Sequence, residues 1–145
     1  MKVLLQRVSE ASVTADGVCT GKINRGILLF AGFTHTDLEA NAAFLAEKCV
    51  NLRIFPDSEG RMSLSVRDIG GEVLSVSQFT LYGETSKGRR PGFDAAMKPH
   101  EAERMYRYFL NCLRSAGLKV ENGIFGADMK VNIVNDGPVT FLLEK

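Results

Sequence analysis

The sequence predicts an α+β fold: one compact domain, mostly antiparallel β-sheet, with two main helices. Three observations carry this. The 145 residues fit the usual size of a single domain, so residues 1–145 are read as one unit. Apolar and β-branched runs are punctuated by Asp16-Gly17, Asn24-Arg25-Gly26, Gly70-Gly71 and Asn122-Gly123, a pattern of strands and turns. Two longer stretches, one after Thr36 and one after Pro99, repeat apolar residues at spacings of three and four.

The elements follow in order. Residues 3–33 read as consecutive strands. Val3, Leu5 and Arg7 alternate with Leu4, Gln6 and Val8, too mixed a pattern to assign faces. Ser12-Val13-Thr14 leads into Asp16-Gly17, a dipeptide that tolerates the positive φ angles of a tight hairpin. Val18 to Ile23 returns, and Ile27-Leu28-Leu29-Phe30-Ala31 is apolar on both faces, which predicts a central, covered strand. Thr36-Asp37-Leu38-Glu39 has the form of a capping box, and Leu38, Ala42, Leu45, Cys49 and Leu52 form one helical stripe ending near Asn51. Met62, Leu64 and Val66 alternate with polar residues as in a half-buried strand, and a longer strand is expected from Glu72 to about Leu81. A second helix starts at Pro99, carries Ala102, Met105, Phe109, Cys112 or Leu113, and Ala116, and stops at Gly117. The tail reads as short strands around an Asn122-Gly123 turn and an Asp136-Gly137-Pro138 turn.

Composition excludes several classes. With 45% hydrophobic and 24% charged residues, the chain can bury a core and is not dominated by disorder. The longest apolar run, Ile27 to Phe33, is broken by Gly32 and is far short of the ~20 residues a spanning helix needs. Polar residues enter within the first seven positions, too early for a signal peptide, so a cytoplasmic protein is expected. Cys19, Cys49 and Cys112 are scattered and odd in number, and are read as buried small hydrophobes. The net charge is +1, so contact with nucleic acid must rest on a local basic patch.

Few residues offer chemistry. His35 and His100 lie far apart and outside any metal-ligand spacing, so no metal is expected. A hydrolytic triad lacks a base beside a nucleophile, and no Gly-x-Ser-x-Gly or phosphate-loop pattern is present. Two polar segments remain, Ser77-Gln78-Phe79-Thr80-Leu81 and Asn135-Asp136-Gly137-Pro138-Val139-Thr140. From periodicity and composition alone, the first reads as an edge strand with one wet face and the second as a turn. A glycine-flanked loop bearing Lys87, Arg89 and Arg90 is either a solvated surface or a phosphate-binding patch.

Taken together, these segments resemble the D-aminoacyl-tRNA deacylase family, also called D-tyrosyl-tRNA deacylases. The resemblance runs through Leu5-Gln6-Arg7-Val8, Ala11-Ser12-Val13, Arg53-Ile54-Phe55, the two polar segments, and Gly123-Ile124-Phe125-Gly126-Ala127-Asp128-Met129. One departure is Arg90-Pro91-Gly92-Phe93, where the family often has serine at the third position. The resemblance implies hydrolysis of the ester between a D-amino acid, or mischarged glycine, and the terminal adenosine of tRNA, with L side chains rejected. It implies a partial-barrel fold, a homodimer with the active site at the subunit interface, aminoacyl-tRNA as the partner, and no metal or organic cofactor.

The same resemblance assigns catalysis to Ser77, Gln78, Phe79 and Thr80 and rejection of L residues to Gly137 and Pro138, joined by a cis peptide. Phe125 and Met129, with Lys87, Arg89 and Arg90, are implied in binding substrate and tRNA. The terminal ribose 2′-hydroxyl is implied to assist, with backbone N–H groups of Phe79 and Thr80 stabilising the oxyanion. Two other classes stay open: a non-catalytic RNA-binding module, and an esterase using the Thr80 hydroxyl as nucleophile.

Overall fold

The computed structural model describes residues 1–145. Strand β1 (Lys2–Ala15) is the hub of the sheet. It pairs antiparallel with β2 (Val18–Ile23), β3 (Gly26–Gly32) and β8 (Met129–Glu144). The β1–β2 hairpin turns at Asp16 and Gly17, whose φ angles are 49° and 78°, as the dipeptide predicts. Beyond β3 the sheet changes character. β3 pairs parallel with β6 (Glu72–Ser77), and β6 pairs parallel with β7 (Val120–Asn122). The cause lies in the connections: α1 (Glu39–Asn51) separates β3 from β6, and α2 (Pro99–Ser115) separates β6 from β7. Crossovers of that length return a strand parallel to the one it left. Between α1 and β6, β4 (Phe55–Pro56) and β5 (Met62–Leu64) form a small separate ladder.

The order β2-β1-β3-β6-β7 curls until its ends meet. A Cβ at Gly21 of β2 would stand 3.1 Å from the Asn122 carbonyl oxygen of β7, so only glycine permits this approach. The result is a nearly closed barrel. Its interior holds Val8, Ala11, Val13, Ile23, Leu28, Leu74 and Val76. Its other face packs against the helices, where Val3, Leu5, Ile27, Leu29 and Val73 meet Leu45, Cys49, Met105, Phe109 and Leu113. β3 is therefore buried on both sides, as its doubly apolar sequence requires.

The mixed pattern of β1 has a structural cause. Val3 and Leu5 face the helices, whereas Val8, Ala11 and Val13 face the barrel interior. Its pairing with β8 shifts between Gln6 and Val8 and again between Val8 and Glu10. The first shift loops three extra residues out of β8; the second places one extra residue in β1, so the inward-facing set passes from even-numbered Val8 to odd-numbered Ala11 and Val13.

Several expectations are corrected. The Thr36–Glu39 capping box does not form: α1 begins at Glu39 with Leu38, not Thr36, at the N-cap, and the Asn41 side chain accepts the Leu38 backbone N–H at 2.8 Å. Asp37 is engaged elsewhere: its carboxylate pairs with the Met1 amine and accepts the Thr34 N–H at 2.8 Å. Leu38 is consequently exposed and leaves the stripe, while Ala42, Leu45 and Cys49 remain in it. α2 starts at Pro99 and stops before Gly117, as expected. Of the cysteines only Cys49 is buried; Cys19 is exposed, because it lies on the outer side of β2. No helix is long and apolar enough to cross a membrane.

Candidate active site

Strand β6 is buried from Val73 to Val76, and its ladder with β3 ends at the Ala31–Ser77 pair. The expected strand to Leu81 does not form. β3 stops at Gly32, so no partner is available, and the chain tightens into a 3₁₀ turn over Phe79–Tyr82. Gln78 N–H donates to the Ala31 carbonyl at 2.7 Å and Leu81 N–H to the Gln78 carbonyl at 3.3 Å. Phe79 and Thr80 are the first two residues of this turn, whose N–H groups have no acceptor within it. The alternation of Ser77, Phe79 and Leu81 on one face is thereby lost.

This turn borders a cavity of about 660 Å³, lined mainly by apolar side chains. Ser77, Gln78, Phe79, Phe125 and Met129 all line it. Thr80 lies one residue outside the lining, exposed, with its hydroxyl accepting a hydrogen bond from the Gln78 amide. An amide donor cannot take the hydroxyl's proton, so Thr80 has no general base. His35 is engaged elsewhere: it donates from Nε2 to the carbonyl of Asp94, a cavity-lining residue, at 2.7 Å.

The wall carrying Phe125 is tied to β6. The buried Tyr106 hydroxyl of α2 donates to the Ser75 carbonyl at 2.8 Å, and burial pushes its pKa up to about 12, so it stays a neutral donor. Gly123 N–H donates to the same carbonyl at 3.1 Å, and the Tyr106 and Phe125 rings lie 6.1 Å apart. One helix thus braces both the strand and the loop that form the wall.

The remaining expected residues lie apart from the cavity lining. Lys87, Arg89 and Arg90 stand exposed on a loop closed at its base by two Glu84–Gly92 backbone bonds of 2.8 and 2.9 Å. Within it Ser86 N–H bonds the Glu84 carboxylate, which holds that carboxyl below its usual range. Gly137 and Pro138 do not border the cavity either. They are joined by a cis peptide, as the resemblance implies, and Gly137 has φ of 123°. The expected Asp136-Gly137-Pro138 turn is not a chain reversal: it lies inside the single strand β8, which pairs with β1 on both sides of it.

Two functional candidates escaped the sequence reading. Arg7 is only 9% exposed, and its Nε donates to the Asp136 carbonyl at 3.0 Å while Nη1 donates to the Ile54 carbonyl at 2.5 Å. Its guanidinium also lies 3.3 Å from the Asp136 carboxylate, so it braces the Gly137 segment. The available signal was a charge in phase with buried Val3 and Leu5. Phe93 is the other: it lines the cavity and meets Phe79 edge-on, with ring centroids 5.0 Å apart. No group of three or more His, Cys, Asp or Glu side chains is placed to hold a metal.

Comparison with known proteins gives this site its context. A family model described as D-Tyr-tRNA(Tyr) deacylase matches residues 4–144. The D-aminoacyl-tRNA deacylase of Bacillus velezensis is 56% identical over 99% of this chain and 98% of its own. That of Geotalea daltonii is also 56% identical, over 99% of this chain and 96% of its own. Among solved structures, the c-Myc DNA Unwinding Element Binding Protein superposes with a TM-score of 0.93 at 43% identity, covering 100% of this chain and 99% of that one. A further structure, described as a "probable eukaryotic D-amino acid tRNA deacylase", has a TM-score of 0.87 at 17% identity over 98% and 97% of the two chains, and supports the fold alone. Fold and relatives define a class of enzyme, the hydrolases named D-aminoacyl-tRNA deacylases. The chain belongs to the D-Tyr-tRNA(Tyr) deacylase family.

Proposed function

We propose that this chain hydrolyses the ester joining a D-amino acid to the terminal adenosine of tRNA, and that it accepts mischarged glycine while rejecting L residues. One observation carries the reading: the Ser77–Thr80 turn borders an apolar cavity, presents two backbone donors and places no base beside Thr80. The aminoacyl-adenosine occupies the cavity against Phe125 and Met129. The N–H groups of Phe79 and Thr80 stabilise the developing oxyanion, a contribution of about 2.7–4 kcal/mol per donor in other enzymes. With no protein base at hand, the ribose 2′-hydroxyl assists the attack. Lys87, Arg89 and Arg90 hold phosphates of the acceptor strand.

L side chains are excluded by Gly137 and Pro138 of a second copy, in a homodimer with its active site at the interface. Support comes from β8, which has a ladder on one side only and leaves Val134, Phe141 and Leu142 exposed. A sixteen-residue edge strand with apolar side chains is a surface that proteins ordinarily cover. The enzyme acts in the cytoplasm, where tRNA is charged.

A release assay with D-tyrosyl-, L-tyrosyl- and glycyl-tRNA tests the reading. Release from the D and glycyl substrates with the L substrate intact is expected. Binding without release from any substrate would make the chain an RNA-binding module. Cleavage of simple esters lacking a ribose would revive Thr80 as nucleophile.

A further inference from the structure

Two aromatic rings at the cavity mouth have no role in the chemistry just described. Phe79 is 57% exposed and Phe93 38% exposed, although large apolar side chains of this size are usually buried. The rings meet edge-to-face, with an interplanar angle of 63°. Phe93 is held from behind. A Cβ on Gly83 would lie 3.2 Å from its ring and 3.0 Å from the Thr80 carbonyl oxygen, so the ring rests on bare backbone. Gly83 has ordinary extended φ and ψ angles of −69° and 124°; space, not conformation, is what a larger residue would lack. The pair is thus fixed in place while part of its surface stays open.

The same stretch of chain carries the charge. Gly83 and Phe93 immediately flank the Glu84–Gly92 base of the loop that bears Lys87, Arg89 and Arg90. None of those three cations forms an ion pair within the chain. Ordered aromatic surface beside unpaired positive charge is the arrangement that binds single-stranded nucleic acid, with bases on the rings and phosphates on the cations.

We propose that Phe79 and Phe93 form a stacking platform for the base preceding the terminal adenosine of the substrate's 3′ strand. The proposal rests on the deacylase reading and extends it outward by one nucleotide. With the aminoacyl-adenosine inside the cavity, the strand leaves through the mouth, past these rings and toward the basic loop. Stacking reads no hydrogen-bonding edge, so the platform accepts any base there and contributes to affinity without discriminating sequence.

The test uses D-aminoacyl esters of the dinucleotide CpA and of an analogue in which the cytidine is abasic, its sugar and phosphate retained. In the unaltered protein, losing the base is expected to lower kcat/KM by about 5- to 150-fold, through KM, with kcat kept. Phe93→Ala should lose a similar factor on CpA and nothing further on the abasic ester, whereas Phe93→Tyr should behave as the parent. Equal cleavage of the two esters by the unaltered protein overturns the platform, as do losses from Phe93→Ala and the abasic site that multiply. The comparison of the two esters needs no variant, so a Phe93→Ala chain that fails to fold leaves it decisive. Absence of release from every D-aminoacyl ester overturns the deacylase reading itself, a different result from release that ignores the penultimate base.

Discussion

The two polar segments interrupt apolar strands in opposite ways. At Ser77–Leu81 the neighbouring strand runs out: β3 ends at Gly32, the ladder stops, and the chain closes into a 3₁₀ turn held by its own backbone bonds. At Asn135–Thr140 the neighbour continues. Gln6 pairs with Thr140 and Val8 with Asn135, so β1 recaptures the strand after a short excursion. That excursion is held by a side chain, Arg7, which reaches the Asp136 carbonyl and carboxylate. One irregularity is thus made by the absence of a partner, the other by a buried charge. Only the first faces the cavity of its own chain. Under the proposed function this contrast becomes a division of labour, with Ser77–Thr80 acting in its own chain and Gly137–Pro138 serving another copy.

The sharpest test of the first segment is chemical. Replacing the terminal adenosine by its 2′-deoxy form should lower release by about 10²–10⁴-fold, the usual worth of positioned proton transfer, with binding retained. Thr80→Ala should keep most of its activity in the same single-turnover assay. Unchanged cleavage of the deoxy ester would return the nucleophile to Thr80 and dissolve the contrast.

The second segment should fail through its brace. Arg7→Met leaves the Asp136 and Ile54 carbonyls without their donor, at a cost of about 1–3 kcal/mol each where they are shut from water. A lowered melting temperature with increased release of L-tyrosine is expected; a lowered melting temperature with D-selectivity intact would make Arg7 purely structural. Gly137→Ala acts more locally. Its Cβ would meet Arg7 Nη2 and Val139 Cγ2, each at 2.9 Å, and φ of 123° suits only glycine. About 1–3 kcal/mol of strain is expected, read by denaturant unfolding, together with weakened D-over-L discrimination. The smallest effect belongs to the loop. Replacing Lys87, Arg89 and Arg90 by alanine should flatten the log–log salt dependence of tRNA binding by up to about 2, from roughly 0.7 per phosphate contact on a single strand. An unaltered slope would place the RNA elsewhere.

Much of the scaffold was legible because its signals are local. Asp16-Gly17 encodes its own turn, Pro99 and Gly117 bracket α2, and the doubly apolar run at Ile27–Ala31 marks a strand covered on both faces. What escaped depends on distant neighbours. Nothing within Ser77–Leu81 says that β3 will end at Gly32, so its alternation imitates a strand. The start of α1 moved because Asp37 is engaged by the Met1 amine, 36 positions away. The faces of β1 could not be assigned because β8, at the far end of the chain, sets the shifts. For the site, family resemblance supplied the residues and the fold gathered five of them on one cavity; Arg7 and Phe93 became visible only through the partners they touch.

A single peptide oxygen has a consequence for motion. The Ser75 carbonyl takes hydrogen bonds from both the Tyr106 hydroxyl and the Gly123 amide. Gly123 stands in a connecting segment, where amide protons ordinarily exchange with solvent quickly. Here its proton is released only when the loop parts from the carbonyl of a fully buried strand residue that α2 also grips. In hydrogen–deuterium exchange the Gly123 amide should therefore be protected along with Val73–Val76, and loosen in step with them as denaturant is added. The Phe125 side of the cavity then breathes on the slow timescale of the core, and substrates meet a wall that is already in place.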